Sequence, residues 1–551
     1  MKEEKGIMRI FTEGAAGVYV ILMLAFFPLY YQNNYINISS AKLNFFRICS
    51  IGLIVLLVVF AGLGLLSQYK EEMQLKARMQ NRNKGGRSSG EEEGRKTMRQ
   101  QIAQISVPAW FAIIFAAGVC IATIFSVNPL ESLLGNEGRK LGLIVWLLCV
   151  TTFAILGTYL KPGKWIVWTF ISGNAIVFIL AILNFWSIDP LGMYENLATE
   201  QHGGFISTIG NVNACASYMC MVVPAGMAAY WFIKNKLLRI VLGVFLVLGF
   251  WTCYCTVSEG WLLGIGAAFL VLFWFAMSDH YHMLRFLEIC GLFWVGSVLM
   301  KITIFAGKST GSRKHMFLSF ISGVLQNRIM LSGYVLAIGG ILILGAMLFT
   351  RNRQKKQKDL PYCTIRKWIF GVLGVLAGVG ILLVLMANLR QDGWEGSLAF
   401  LNRMKIDDSF GSTRGYIWKT TMESWVKMPF WDKISGFGLN CYHVFIQQYG
   451  GSEVSEVFNG ALLIDAHNEF LQFLTTTGLL GVVGYFGLLI SMAVRSARQS
   501  LNKPQMILGV VVICAYIAQG MVNNPTIFLT PYLFLMLGII RGMENMEDVS
   551  K

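Results

Sequence analysis

Lys367-Trp-Ile-Phe-Gly-Val-Leu-Gly-Val-Leu-Ala-Gly-Val-Gly-Ile-Leu-Leu-Val-Leu-Met-Ala-Asn388 decides the fold. From Trp368 to Leu389 it carries no charged residue. Wound as a helix at about 1.5 Å per residue, it is long enough to cross a hydrocarbon layer of roughly 30 Å. Inside lipid each backbone N–H and C=O must find its partner within its own element, so the block has to be helical. Working outward in both directions, blocks of the same kind recur. They explain why 55% of the 551 residues are hydrophobic and only 14% charged, where a soluble chain carries about a quarter charged residues.

The blocks number about fourteen by length and apolarity. They run at 14–31, 47–67, 105–126, 141–160, 165–186, 211–233, 237–256, 260–277, 286–304, 329–350, 367–388, 468–492, 505–522 and 526–541. The expectation is an all-α polytopic integral membrane protein, with about 14 transmembrane helices and one long extracytoplasmic loop carrying short helices. Its parts are N-terminal transmembrane helices at 1–67, a polar cytoplasmic linker at 68–104 and a transmembrane core at 105–388. The long outer loop follows at 389–467, then C-terminal helices and a short tail at 468–551. The linker reads as flexible, because it is polar, mixed in charge and contains Gly and Ser (Met79-Gln-Asn-Arg-Asn-Lys-Gly-Gly-Arg-Ser-Ser-Gly-Glu-Glu-Glu-Gly-Arg-Lys96).

Lysine and arginine set the orientation. With the N-terminus in the cytoplasm, the inner loops hold Lys161/Lys164, Lys234/Lys236, the run from Arg351 to Lys358, and Arg495/Arg498/Lys503. That puts about 30 basic residues inside and about 15 outside, as the positive-inside rule requires. The formal charge of +16 is therefore topological and does not point to nucleic acid. Nearly all of the 11 cysteines fall within apolar blocks, and no disulfide framework or CxxC metal site appears. The first apolar block lacks a cleavage signal and reads as a retained span.

The polar investment lies between blocks, above all in the loop of 389–467. Loops this long usually carry function. Within it, Ser412 or Thr413 can cap a short helix whose stripe is Ile417, Trp418, Thr421, Met422 and Trp425. Pro429 stops that helix, and Gly436-Phe-Gly438 reads as a turn. Three clusters could carry chemistry. Asp465-Ala-His467-Asn468-Glu469 stands where the loop becomes a span. The positive end of a helix there keeps an imidazole neutral, able to accept a proton from an attacking hydroxyl. The alternative is that Asp465 or Asn468 only caps the helix. Arg414 and Trp418 sit one helical turn apart, fit to clamp a phosphate and cover a sugar or apolar chain, or simply to snorkel. Arg139, in the turn Gly135-Asn-Glu-Gly-Arg-Lys-Leu-Gly142, offers a second anion contact or a headgroup anchor. Asp279-His280-Tyr-His282 reads as a solvated cytoplasmic loop. No P-loop, GxSxG, HExxH or dinucleotide fingerprint is present.

Taken together, these segments resemble the O-antigen ligase / Wzy-type polymerase superfamily of bacterial membrane glycan transferases. The residues that carry the resemblance are Gly135…Arg139…Gly142, then Ile209-Gly-Asn-Val-Asn213 with Pro224, where Val212 stands for a proline. The C-terminal module is the distinctive part: Arg414-xxx-Trp418, Pro429, Gly436-Phe-Gly438, Ala466-His467-Asn468 and Thr477-Gly-Leu-Leu-Gly481. The resemblance covers roughly residues 127–540.

It implies a glycan moved from an undecaprenyl-pyrophosphate donor to an acceptor hydroxyl, without metal or cofactor, at the outer face of the bacterial cytoplasmic membrane with both termini cytoplasmic. His467 and Arg414 would be catalytic, and Arg139, Trp418, Asn468 and Glu259 would bind substrate. The partners would be a lipid-linked oligosaccharide donor, a glycan, lipid or protein acceptor, and membrane lipid. One departure stands out. Ser258-Glu259-Gly260 occupies a turn where the family often has Ser-Arg-Gly, and a carboxylate repels pyrophosphate; Arg313, Lys314 or Arg403 could substitute, or Glu259 could bind the acceptor. A polymerase joining repeat units is the nearest alternative. A transporter or flippase is the alternative of another class, disfavoured by the scarcity of mid-span charge.

Overall fold

A computed structural model describes residues 2–82, 105–136, 139–309, 329–357, 360–390, 393–408, 410–451, 453–458, 460–544 and 546. Arg313, Lys314, Lys358 and the stretch 83–104 lie outside the described residues, as does the Arg403 side chain.

The chain is almost wholly helical. The first helices are α1 (Lys2–Ile21), extended by one π turn (Leu22–Phe26), α2 (Ile38–Arg82), α3 (Val107–Ile124), the short α4 (Pro129–Leu134), α5 (Leu143–Tyr159) and α6 (Lys164–Phe185). Then come α7 (Val212–Phe232), α8 (Lys236–Cys255), α9 (Gly260–Ala276), α10 (His280–Ser309), α11 (Gly333–Lys355) and α12 (Tyr362–Leu389). The long loop holds α13 (Phe410–Lys427), α14 (Phe430–Ser435), α15 (Tyr442–Tyr449) and α16 (Glu453–Val457). It leads into α17 (Glu469–Thr476), α18 (Gly478–Ser500), α19 (Ile507–Gly520) and α20 (Thr530–Glu544). The sheet among the described residues is one two-residue hairpin, Phe205↔Asn211 and Ile206↔Gly210.

Ten of the helices are long and apolar enough to cross a membrane, and three more are apolar but shorter (Leu143–Tyr159, Gly260–Ala276, Pro504–Gly520). That is the make-up of an all-α, multi-pass membrane protein. Burial grades sharply across the bundle. In α7, 89% of the apolar window is buried, and α19 and α20 bury nearly every residue beside it. In α12 the share is 0%: Trp368, Val375, Leu382 and Leu389 all face outward. Apolar side chains turned outward from a long helix are what lipid contact requires.

Polar ties fix the loops to the bundle. The buried Lys42 amine donates to the carbonyls of Phe27 (2.6 Å) and Pro28 (2.7 Å), which end the first span. Tyr35 Oη donates to Ser207 O at 2.8 Å, joining the loop after α1 to the hairpin.

Four features depart from the sequence reading. The stretch 68–104 opens as helix, since α2 continues unbroken to Arg82. The block 468–492 is two helices, broken at Thr477 and Gly478, where Gly478 takes a positive φ of 63°. The helix α13 starts at Phe410, ahead of Ser412, and its buried face is Ile417, Thr420, Thr421 and Ser424; Met422 points outward at 40% exposure. Asp279-His280-Tyr-His282 is no free loop either. His280 Nδ1 meets Tyr362 Oη at 2.7 Å, and His282 Nδ1 meets Asp279 Oδ2 at 2.5 Å, at the start of α10.

Candidate functional site

Arg139 sits in a turn that two glycines close. Gly135 has φ +88°, and a Cβ placed on Gly142 would come within 2.4 Å of Gly135 N. Neither position tolerates a side chain, so the chain doubles back on itself and projects the residues between. Asn136 Oδ1 accepts from Arg139 N (2.8 Å), and Asn440 Nδ2 donates to Leu141 O (2.9 Å). The turn is thereby pinned to the segment after α14. That segment is held by a second glycine pair: a Cβ on Gly436 would meet Thr476 O at 2.4 Å, and one on Gly478 would meet Gly436 N at 2.5 Å. The glycines spaced through the sequence module are thus back-to-back contacts between the long loop and the start of α18.

Asp465 and His467 stand over this junction. Asp465 is buried and forms an ion pair with Arg139. Asn524 Nδ2 donates to the same carboxylate, from the turn between α19 and α20. His467 adopts φ +47°, uncommon for a residue with a side chain and frequent at functional sites. Its backbone N–H donates to Asp465 Oδ1 at 3.1 Å, and its Nδ1 lies 3.3 Å from that oxygen. An Nδ1–H donated to the carboxylate leaves the Nε2 lone pair exposed for a proton.

Next in the chain, Asn468 caps α17. Its Oδ1 accepts from Leu471 N (3.0 Å) and its Nδ2 donates to Met521 O (2.8 Å), so both ends of the amide serve the scaffold. Glu469 is buried, and its Oε1 accepts from Tyr485 Oη (2.9 Å) and Tyr516 Oη (2.6 Å), which locks α17 to α18 and α19.

The imidazole is kept uncharged. Burial pushes the His467 pKa down, and the charges of Arg414 and then Arg139 push it further, to about 4. Arg414 therefore stands within electrostatic reach of His467 although more than fifty residues precede it. Its Nη1 donates to Gly411 O at 2.9 Å, while its buried Nε has no partner. One turn on, Trp418 Nε1 is likewise buried and unpartnered. Among the described residues Arg414 forms no ion pair, whereas Arg139 is matched by Asp465. Behind Asp465 lies a cavity of about 30 Å³, lined by Arg139, Gln472, Thr476 and Asn524. It has room for one water, so any large ligand must bind on the open side. Among the described residues no group of three or more His, Cys, Asp or Glu could hold a metal ion.

The structure brings Arg139, His467 and Arg414 together, with Trp418 beside Arg414. Glu259 stays exposed at the start of α9, where its carbonyl accepts from Leu262 N (3.0 Å) and its side chain makes no cap hydrogen bond. Its turn nonetheless adjoins the site, because Gly260 abuts Asn523. No protein-family model matches the chain, and no protein of curated function resembles it significantly in sequence.

Asp465 belongs to the cluster that the sequence marks for chemistry, while Asn524 escapes the sequence reading. The polar triplet Asn523-Asn524-Pro525 interrupts two apolar blocks, and that interruption was the available signal.

Proposed function

We propose that the protein is a membrane glycan transferase of the O-antigen-ligase type, taking a glycan from undecaprenyl pyrophosphate and passing it to an acceptor hydroxyl. The observation that carries the proposal is an imidazole held neutral by burial and two arginines, of which only Arg139 is paired with a carboxylate among the described residues. The chain crosses the bacterial cytoplasmic membrane about fourteen times, and the loop of 389–467 lies on the outer side, where such donors are presented.

In this mechanism Asp465 accepts the Nδ1–H of His467 and holds the ring. His467 Nε2 takes the proton of the acceptor hydroxyl as its oxygen attacks the anomeric carbon. A new C–O bond forms there, and the bond to the pyrophosphate oxygen breaks. The leaving pyrophosphate keeps the electron pair, and the Arg414 guanidinium neutralises the charge that builds up on it. Pyrophosphate leaves readily, so positive charge and positioning suffice for most of the barrier. Trp418, with an indole N–H still to be used, covers the sugar or the lipid chain next to Arg414. Arg139 acts through Asp465, and Asn468 acts as the cap that sets α17. The acceptor distinguishes a ligase (lipid, protein or wall glycan) from a polymerase (a growing lipid-linked chain).

The test replaces His467 and Arg414 with Ala, separately, in cells lacking the native gene, and follows the glycan lost in that deletion strain. Loss of the transferred glycan with normal protein levels is expected for both. Full transfer by both variants would sink the proposal.

A further inference from the structure

Far from His467, two clefts run along either side of α10. The start of α7 belongs to the His467 end, since Asn213 Oδ1 accepts from Ser258 Oγ (2.8 Å) and the neighbouring Gly260 abuts Asn523. Tyr230 lies at the other end of α7, about 26 Å away along the helix at 1.5 Å per residue. There a cleft of about 520 Å³ opens between α8 and α10, and one of about 580 Å³ opens between α10 and α11. Both are bounded by Tyr230, Glu288, Leu292 and Val295, so the α10 ridge of Leu292 and Val295 divides one hollow into two arms.

The arms are apolar and their shared end is charged. Tyr230 Oη donates to Glu288 Oε2 (3.1 Å), and Arg285 Nη1 pairs with the same oxygen (3.0 Å). That carboxylate is thus compensated. Lys236 and Arg239 line the α8 arm at this end and form no ion pair among the described residues. Among the described residues their positive charge has no carboxylate paired with it.

We infer that these arms hold the two acyl chains of an anionic glycerophospholipid straddling α10, its phosphate between Lys236 and Arg239. The α8 wall from Lys236 to Leu248 is about 18 Å long, close to the depth of one leaflet in a hydrocarbon core of roughly 30 Å. The forked shape fits two chains on one headgroup, and the surplus charge selects an anionic one.

The experiment uses the full chain in phosphatidylcholine nanodiscs, titrated with phosphatidylglycerol and read by native mass spectrometry. One phosphatidylglycerol should bind with clear preference over phosphatidylethanolamine. The double variant Lys236→Ala/Arg239→Ala should weaken it by roughly tenfold or more, about 1.4 kcal/mol per factor of ten. Gly291→Leu with Gly243→Leu fills the arms and should weaken both anionic and zwitterionic lipid. A Cβ on Gly291 meets nothing within 4 Å, and one on Gly243 meets only side chains of Leu292 and Tyr230, no nearer than 3.7 Å, so the bundle should stay folded. Equal binding of all three lipids, unchanged binding in both double variants, or efficient disulfide dimerisation through Gly291→Cys would each overturn the inference.

Discussion

The two arginines of the candidate site place the same side chain in opposite surroundings. Arg139 rides on a turn closed by abutting glycines and is already matched by the buried Asp465 carboxylate. Arg414 rides on a helix of the long loop, with one hydrogen bond to a carbonyl and no carboxylate paired with it among the described residues. A guanidinium paired with a carboxylate makes a poor anion receptor, because a ligand must first displace that partner. An unpaired one attracts anions at full strength. Position within a fold, more than residue type, separates a brace from a receptor.

That contrast can be broken in several ways. Arg139→Ala strips the buried carboxylate of its cation and should destabilise the protein by about 3–5 kcal/mol, read as a lower unfolding temperature in detergent. Combining it with Asp465→Asn should recover part of the loss; no recovery would mean that the pair is not what stabilises the turn. His467→Ala should leave the unfolding temperature nearly unchanged and lower the transfer rate by roughly 10²–10⁴, the range for a general base. Arg414→Ala should also spare stability and cost about 10²–10³ in rate. If Arg414 and Arg139 variants behaved alike in both assays, the division of labour would be wrong.

A subtler change should appear in the pH profile. In the proposed mechanism His467 acts in its neutral form, and with its pKa held down near 4 the acid limb of kcat/KM should lie well below the ordinary histidine range. Arg414→Gln removes one of the positive charges that disfavour imidazolium. The pKa of His467 should then rise and the acid limb move to higher pH. A limb that stays in place would separate Arg414 from the imidazole. The smallest effect expected is that of Leu376→Ala on the lipid-facing α12: within about 0.5 kcal/mol in stability, as for surface sites generally.

Much of the architecture could be read from residues alone, and the reason is physical. A block such as 367–388 has one viable state in lipid, so apolar length by itself places a helix there. The Asp465–Glu469 segment was legible as a helix start, and Asn468 does cap α17. What sequence could not reveal was pairing over distance. Arg139 and Asp465 lie far apart in the chain, and Asn524 reaches the same carboxylate from yet another turn. Periodicity says nothing about such meetings. Nor does it say which side of a stripe packs: Met422 belongs to the apolar stripe of α13 yet points outward, and the packed face centres on Thr421 and Ser424. The break at Thr477–Gly478 falls on Thr475-Thr-Thr-Gly478, three threonines and a glycine within an otherwise apolar block, and the back-to-back contact with Gly436 makes the kink necessary.

The 45 residues of α2 amount to about 68 Å of continuous rod at 1.5 Å per residue. Its apolar stretch is Ile38–Gly64, so the remainder of the helix to Arg82, about 27 Å of rod at 1.5 Å per residue, extends beyond the span as a stalk. A reporter attached at Arg82 itself would stand about 27 Å along the rod from the last residue of the apolar stretch.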